Sequence, residues 1–120
     1  MISKELLSEV LDIKYSFKNI KLREYEPYIQ WYCDEVYKEH VYSINVYELA
    51  HKCKEWALTK HKISLQSTPI EENENEIYWS VILKLFNEEY EENLEHIIKD
   101  TEPEAIFKAC QWVLENKDIR

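Results

Sequence analysis

The spacing of apolar positions along this chain alternates between helical and strand periods, and each change of period marks a predicted element. Ser3 precedes a stripe of Leu6, Leu7, Val10 and Leu11, which is one face of a short helix. From Ile13 the period becomes two. Ile13, Tyr15 and Phe17 alternate with Lys14, Ser16 and Lys18, and Ile20 and Leu22 follow Asn19, which predicts a strand or hairpin over 13–23. Glu26-Pro27 is a turn, and the aromatic run Tyr28 to Tyr37 reads as another strand, its far end equally compatible with a helical turn.

Asn45, with Glu48 three residues on, approximates a capping box. Val46, Leu49, Ala50, Cys53, Trp56 and Ala57 then keep helical spacing to about Lys60, and the small Ala50 and Cys53 allow close approach to a sheet. Ile63 and Leu65 mark a short strand, and Pro69 with the run 71–76 reads as a loop. Over 77–99 two patterns compete. Ile77, Trp79, Val81, Leu83 and Leu85 alternate, whereas Ile82, Phe86, Tyr90, Leu94 and Ile98 are spaced by four and suit one long helix. The β-branched Ile77 and Val81 and the aromatic Tyr78 and Trp79 favour strands over 77–86 and 93–99, joined by an acidic turn. Thr101 and Glu104 form a capping box with Pro103 in the first turn. Ala105, Ile106, Ala109, Cys110, Trp112 and Val113 then make the buried face of a last helix.

Composition narrows the class. At 120 residues and 45% hydrophobic, the chain suits one domain with its own core, divided here into an N-terminal region, 1–44, and a unit over 45–120. Thirteen lysines against two arginines, and no glycine, are the composition of an AT-rich genome, as in many bacteria and their phages. Without glycine, positive φ falls to Asn or Asp, and Asn19, Asn87 and Asn93 are the turn candidates. Cys33, Cys53 and Cys110 lie in apolar-periodic stretches with no leader pattern before them, which implies buried free thiols in a bacterial cytoplasm. No apolar run is long enough to cross a membrane.

The net charge of −9 is concentrated. Residues 71–95 hold nine glutamates against Lys84, which is −8. Such a surface disfavours nucleic acid and anionic membrane as direct partners and suits a protein with a basic surface. Tyr25, Tyr28, Trp31, Tyr32, Tyr37 and Tyr42 crowd a further segment, and those left exposed would anchor an interface.

Signals for chemistry are weak. His51 and Cys53 are two apart, about 200° around a helix, and cannot share a metal ion. His40, His61 and His96 show no ligand spacing. Cys53 and Cys110 sit on apolar helix faces, where a small core residue is a better reading than a nucleophile. Glycine-rich phosphate loops are excluded by composition. No cofactor is implied.

The order α-β-β-β-α from Asn45 onward resembles the double-stranded-RNA-binding domain, and the stretch Thr101-Glu102-Pro103-Glu104-Ala105-Ile106-Phe107-Lys108-Ala109-Cys110 is similar to that family's last helix. The resemblance implies the fold. It does not carry the activity, because Glu102 and Pro103 stand where the family has phosphate-gripping lysines. The segments Val46 to Ala57 and Thr101 to Trp112 also resemble small uncharacterised bacterial prophage proteins, which implies a phage or prophage origin.

Together these features predict an α+β fold, an antiparallel sheet with helices packed on one face and a C-terminal α-β-β-β-α unit. The expected function is non-enzymatic: a phage-type accessory protein that binds another protein, in its sharpest form an acidic inhibitor seated in the basic groove of a host nucleic-acid enzyme. The candidate binding residues are Glu88, Glu89, Glu91, Glu92, Tyr28, Trp31 and Tyr32. A homodimer through an open strand edge is compatible with this reading. The alternative is a nucleic-acid-binding domain using Lys52, Lys54, Lys60 and Lys62.

Overall fold

A computed structural model describes residues 1–14, 16–33, 40–74, 76–86 and 91–116. The fold is α+β, with three helices and two antiparallel three-stranded sheets. Helix α1 (Lys4–Leu11) is capped by Ser3, whose hydroxyl accepts from the Leu6 N–H at 3.1 Å. Strands β1 (Ile20–Tyr25), β2 (Tyr28–Cys33) and β3 (Tyr42–Asn45) form the first sheet in that order. Helix α2 (Val46–His61) leads to the second sheet, β4 (Ile63–Asn73), β5 (Glu76–Phe86) and β6 (Glu91–Lys99), and helix α3 (Glu102–Glu115) follows. The α-β-β-β-α order from residue 45 is therefore present. The N-terminal region adds a sheet of its own rather than a lone hairpin.

Residues 77–86 and 91–99 are strands. Along β5 burial alternates, with Val81 and Leu83 fully buried and Ile82 and Lys84 half-buried on the opposite face. Both neighbours pair with β5, Val81 lying opposite Ser67 on one side and Ile97 on the other. A long helix there would have left β4 without its strand partner.

Three expectations are corrected. Ile13, Lys14, Ser16 and Phe17 are not in a strand: Asp12 closes α1 in the left-handed region (φ 53°), and Ser16 accepts from the Lys18 N–H to start a 3-10 turn over Phe17–Asn19; Tyr15 lies outside the described residues. The alternation is real, but a serine hydroxyl next to an unpaired segment competes with strand geometry. Positive φ is taken by Asp12 and Lys62 among the described residues; Asn19 ends the 3-10 turn and Asn93 lies in β6 opposite Lys84, while Asn87 is outside the described residues. Finally, β4 runs through Pro69 and into the glutamate run instead of ending near Gln66. Proline is tolerated because β4 is an edge strand, bonded only to β5, with Pro69 opposite Trp79. The end of the aromatic stretch, 34–37, falls outside the described residues.

One hydrophobic cluster joins all three helices to both sheets: Leu6 and Leu7 from α1, Ile29 and Ile44 from the first sheet, and Leu49 and Cys53 from α2. Val81 and Leu83 from β5 and Ile106 and Val113 from α3 complete it. Small residues let α2 and α3 approach closely, and the Cys110 thiol donates to the Cys53 carbonyl at 3.5 Å. The Cα extents of 46 × 40 × 18 Å describe a slab thick enough for one helical layer and one strand layer. Among the described residues no helix is long and apolar enough to cross a membrane.

Candidate functional site

Hairpin geometry rearranges the acidic residues. Strand β4 carries Glu71 and Glu72 to one end of the second sheet, and Glu76 begins β5 there. The eleven-residue β5 ends at Phe86, opposite Glu91, with Glu92 opposite Leu85. At the usual strand rise the two ends lie about 33 Å apart. Among the described residues, the glutamates at the two ends of β5 therefore do not form one pole. Glu88 and Glu89 fall outside the described residues.

The first end projects. Strand β6 stops at Lys99, opposite Trp79, so residues 70–73 and 76–78 continue as a two-stranded ribbon. Tyr78 records how closely carboxylates gather here. Its hydroxyl donates to Glu76 Oε2 at 3.3 Å, and the same oxygen accepts from Asn73 Nδ2 at 3.3 Å. The phenol is raised above its ordinary value, by the charge of Glu76 first and also by Glu72 and Asp100, because ionisation would place another negative charge among them. Ile77 sits on this ribbon, 59% exposed. Residue order alone did not single out this end, because the alternation of Ile63 and Leu65 stops at Gln66 and Ser67 to Asn73 carry no strand period.

The aromatic segment is also divided. In the first sheet Ile20, Leu22, Ile29, Trp31 and Ile44 are buried or packed on the core. Trp31 stacks on its cross-strand partner Tyr42, with centroids 5.5 Å apart and planes at 20°. Alternation turns the intervening residues outward. They form rows across the sheet: Tyr25, Tyr28 and Asn45; Arg23, Gln30 and Ser43; Lys21 and Tyr32. Tyr28 and Tyr32 thus share a face, while Trp31 faces the other way and serves the core. The Arg23 guanidinium donates through Nε to Gln30 Oε1 at 3.1 Å and again through Nη2.

The lysines of the alternative reading are partly engaged. Lys54 donates to Ser67 Oγ at 3.0 Å, and Ser67 donates to Glu102 Oε2 at 3.0 Å, a chain that ties α2, β4 and α3 together. Lys52 and Lys60 line an open cavity of about 640 Å³ between α1 and α2, together with Glu9, Asp12 and Glu55. Acidic neighbours lower the potential a phosphate would meet there.

Other reactive groups have structural partners. Ser80, a buried polar residue of β5, pairs through its hydroxyl with His96 Nε2 on β6. His51 Nε2 lies 3.1 Å from Glu55 on the surface of α2, and His61 packs edge-on against Trp56 at 4.7 Å. All three cysteines are buried and free. Among the described residues no cluster of His, Cys, Asp or Glu could hold a metal ion.

These surfaces define an α+β protein of net charge −9 with a projecting glutamate-rich ribbon and one outward tyrosine face. Comparison with known proteins finds no matching family model, no matching curated protein and no matching solved structure.

Proposed function

We propose that this is a non-enzymatic accessory protein of phage or prophage type that acts by binding another protein, its glutamate-rich sheet ends entering a basic nucleic-acid groove of a host enzyme in place of phosphate. One observation carries the reading: the backbone positions of Glu71, Glu72 and Glu76 and those of Glu91 and Glu92 fall at opposite ends of β5, about 33 Å apart by strand rise, against about 34–36 Å for one turn of duplex. A rigid central strand holds the spacing, so little ordering entropy is lost when both ends engage. The exposed glutamates of the projecting ribbon supply charge where the sheet is narrowest.

The test couples capture to activity. Immobilised protein should retain a host nucleic-acid-binding protein at low salt and release it as salt rises. Wild-type protein should block that partner's binding to DNA. Replacing Glu71, Glu72, Glu74 and Glu76 with Gln, or Glu88, Glu89, Glu91 and Glu92 with Gln, should weaken the block at least about tenfold, since each interfacial ion pair contributes on the order of 1 kcal/mol. Salt-insensitive capture, or a captured protein whose DNA binding is unaffected, would overturn the proposal.

A further inference from the structure

The outward face of the first sheet has the opposite character from the acidic ends. In a chain of net charge −9, its outward strand positions among the described residues carry Lys21 and Arg23 and no carboxylate, while Glu26 in the β1–β2 turn lines a cavity with Tyr28 at one edge. Tyr28 and Tyr32 lie four residues apart on β2, about 13 Å along the strand, with Gln30 between them and Arg23 opposite Gln30. Tyr28 is 43% exposed and Tyr32 half-buried, with Tyr25 beyond at 63%. An open sheet face with several tyrosines and no aliphatic side chain is an unusual use of exposed area, because burying those rings in the core would have stabilised the fold.

We propose that this face binds single-stranded nucleic acid, with bases stacking on Tyr28 and Tyr32 and the backbone phosphates meeting Arg23 and Lys21. Stacking on an aromatic ring needs an unpaired base with its flat face accessible, and a strand with splayed bases offers this where a duplex does not. The sheet is also too broad to enter a groove, and two cations supply too small a phosphate contribution to hold a duplex alone. Gln30 holds the Arg23 guanidinium by two hydrogen bonds from Nε and Nη2, which orients its remaining N–H groups and limits the entropy lost on binding a phosphate. The acidic ends belong to the other sheet, and salt further weakens the repulsion that exposed charges exert at a distance. Glu24 points to the inward side, where it lies 3.9 Å from the chain's own amino group. The expectation that nucleic acid is repelled thus applies to the acidic ends and not to this face.

Fluorescence anisotropy with labelled oligothymidylate and oligouridylate of about 12 nucleotides, inside the range one such surface covers, tests the proposal. Both strands should show saturable binding at low salt, or one should if the 2′-hydroxyl is read, and a duplex of equal length should bind at least about tenfold more weakly. Tyr28→Ala and Tyr32→Ala should each weaken binding about tenfold, while Tyr28→Phe and Tyr32→Phe, which keep the ring, should stay within about twofold. The slope of log K against log salt should be near about −1.4 and fall by about 0.7 in magnitude on Arg23→Gln or Lys21→Gln. Lys52→Gln and Lys60→Gln, on α2, should change nothing. The proposal is overturned by no binding at about 100 µM protein, by equal affinity for duplex, by phenylalanine variants as weak as the alanine ones, or by loss on the α2 changes. Displacement of the strand by polyglutamate at equal charge would also overturn it, since that marks simple ion exchange without stacking.

Discussion

Cys110 illustrates how a residue type acquires its role from its surroundings. Its thiol is pushed well above its ordinary value, first by its hydrogen-bonded pairing with Cys53 and then by burial, with the Cys53 charge adding to both. A thiolate there would lie between two packed helices with little to stabilise it, so the residue is an inert core group. Cys33 and Cys53 are equally enclosed, at 3% and 0% exposure. In native protein at neutral pH none of the three should react with a disulfide reagent within minutes, and all three should react in denaturant. Fast native labelling, read by mass spectrometry, would contradict the packing. Burial of these cysteines was legible from their place in apolar repeats. The contact between two of them was not, because 57 residues separate them in sequence.

Elements were most legible where a local side chain bonds a helix end. Asn45 Oδ1 accepts from the Tyr47 N–H at 2.8 Å, and Thr101 Oγ1 from the Glu104 N–H at 3.3 Å, so the starts of α2 and α3 are chemical statements within four residues of sequence. Thr101→Ala should lower unfolding free energy by about 1 kcal/mol in urea titration with the slope unchanged. A loss below about 0.3 kcal/mol would mean that tertiary packing alone positions α3. Strands were harder to place, because a strand's hydrogen bonds go to residues distant in sequence. Ile13 and Phe17 alternate as well as Val81 and Leu83 do, yet only the second pair has neighbours on both sides of its strand. Likewise, whether Pro69 ends a strand depends on whether that strand is an edge, which no local window contains.

At the scale of the molecule, charge is distributed by topology. Of the glutamates within residues 71–95, Glu71, Glu72 and Glu76 stand several screening lengths from Glu91 and Glu92, because β5 carries the chain the full length of the sheet between them. The Gln variants at the two ends should therefore act additively: the combined loss of partner affinity should equal the sum of the separate free-energy losses within about 0.5 kcal/mol. Strong non-additivity, measured by titration calorimetry, would place all eight positions in one contact. The sequence by itself determined the fold class, the three helices with their caps, the strand character of 77–86 and the total charge, since these follow from period, local hydrogen bonding and composition. Only the tertiary structure decided which carboxylates stand together, that Trp31 turns from Tyr28 and Tyr32, and that Lys21 and Arg23 join those tyrosines. Register and hairpin reversal bring together residues far apart in the chain and send neighbours to opposite faces, and both arise from pairing between strands rather than within them.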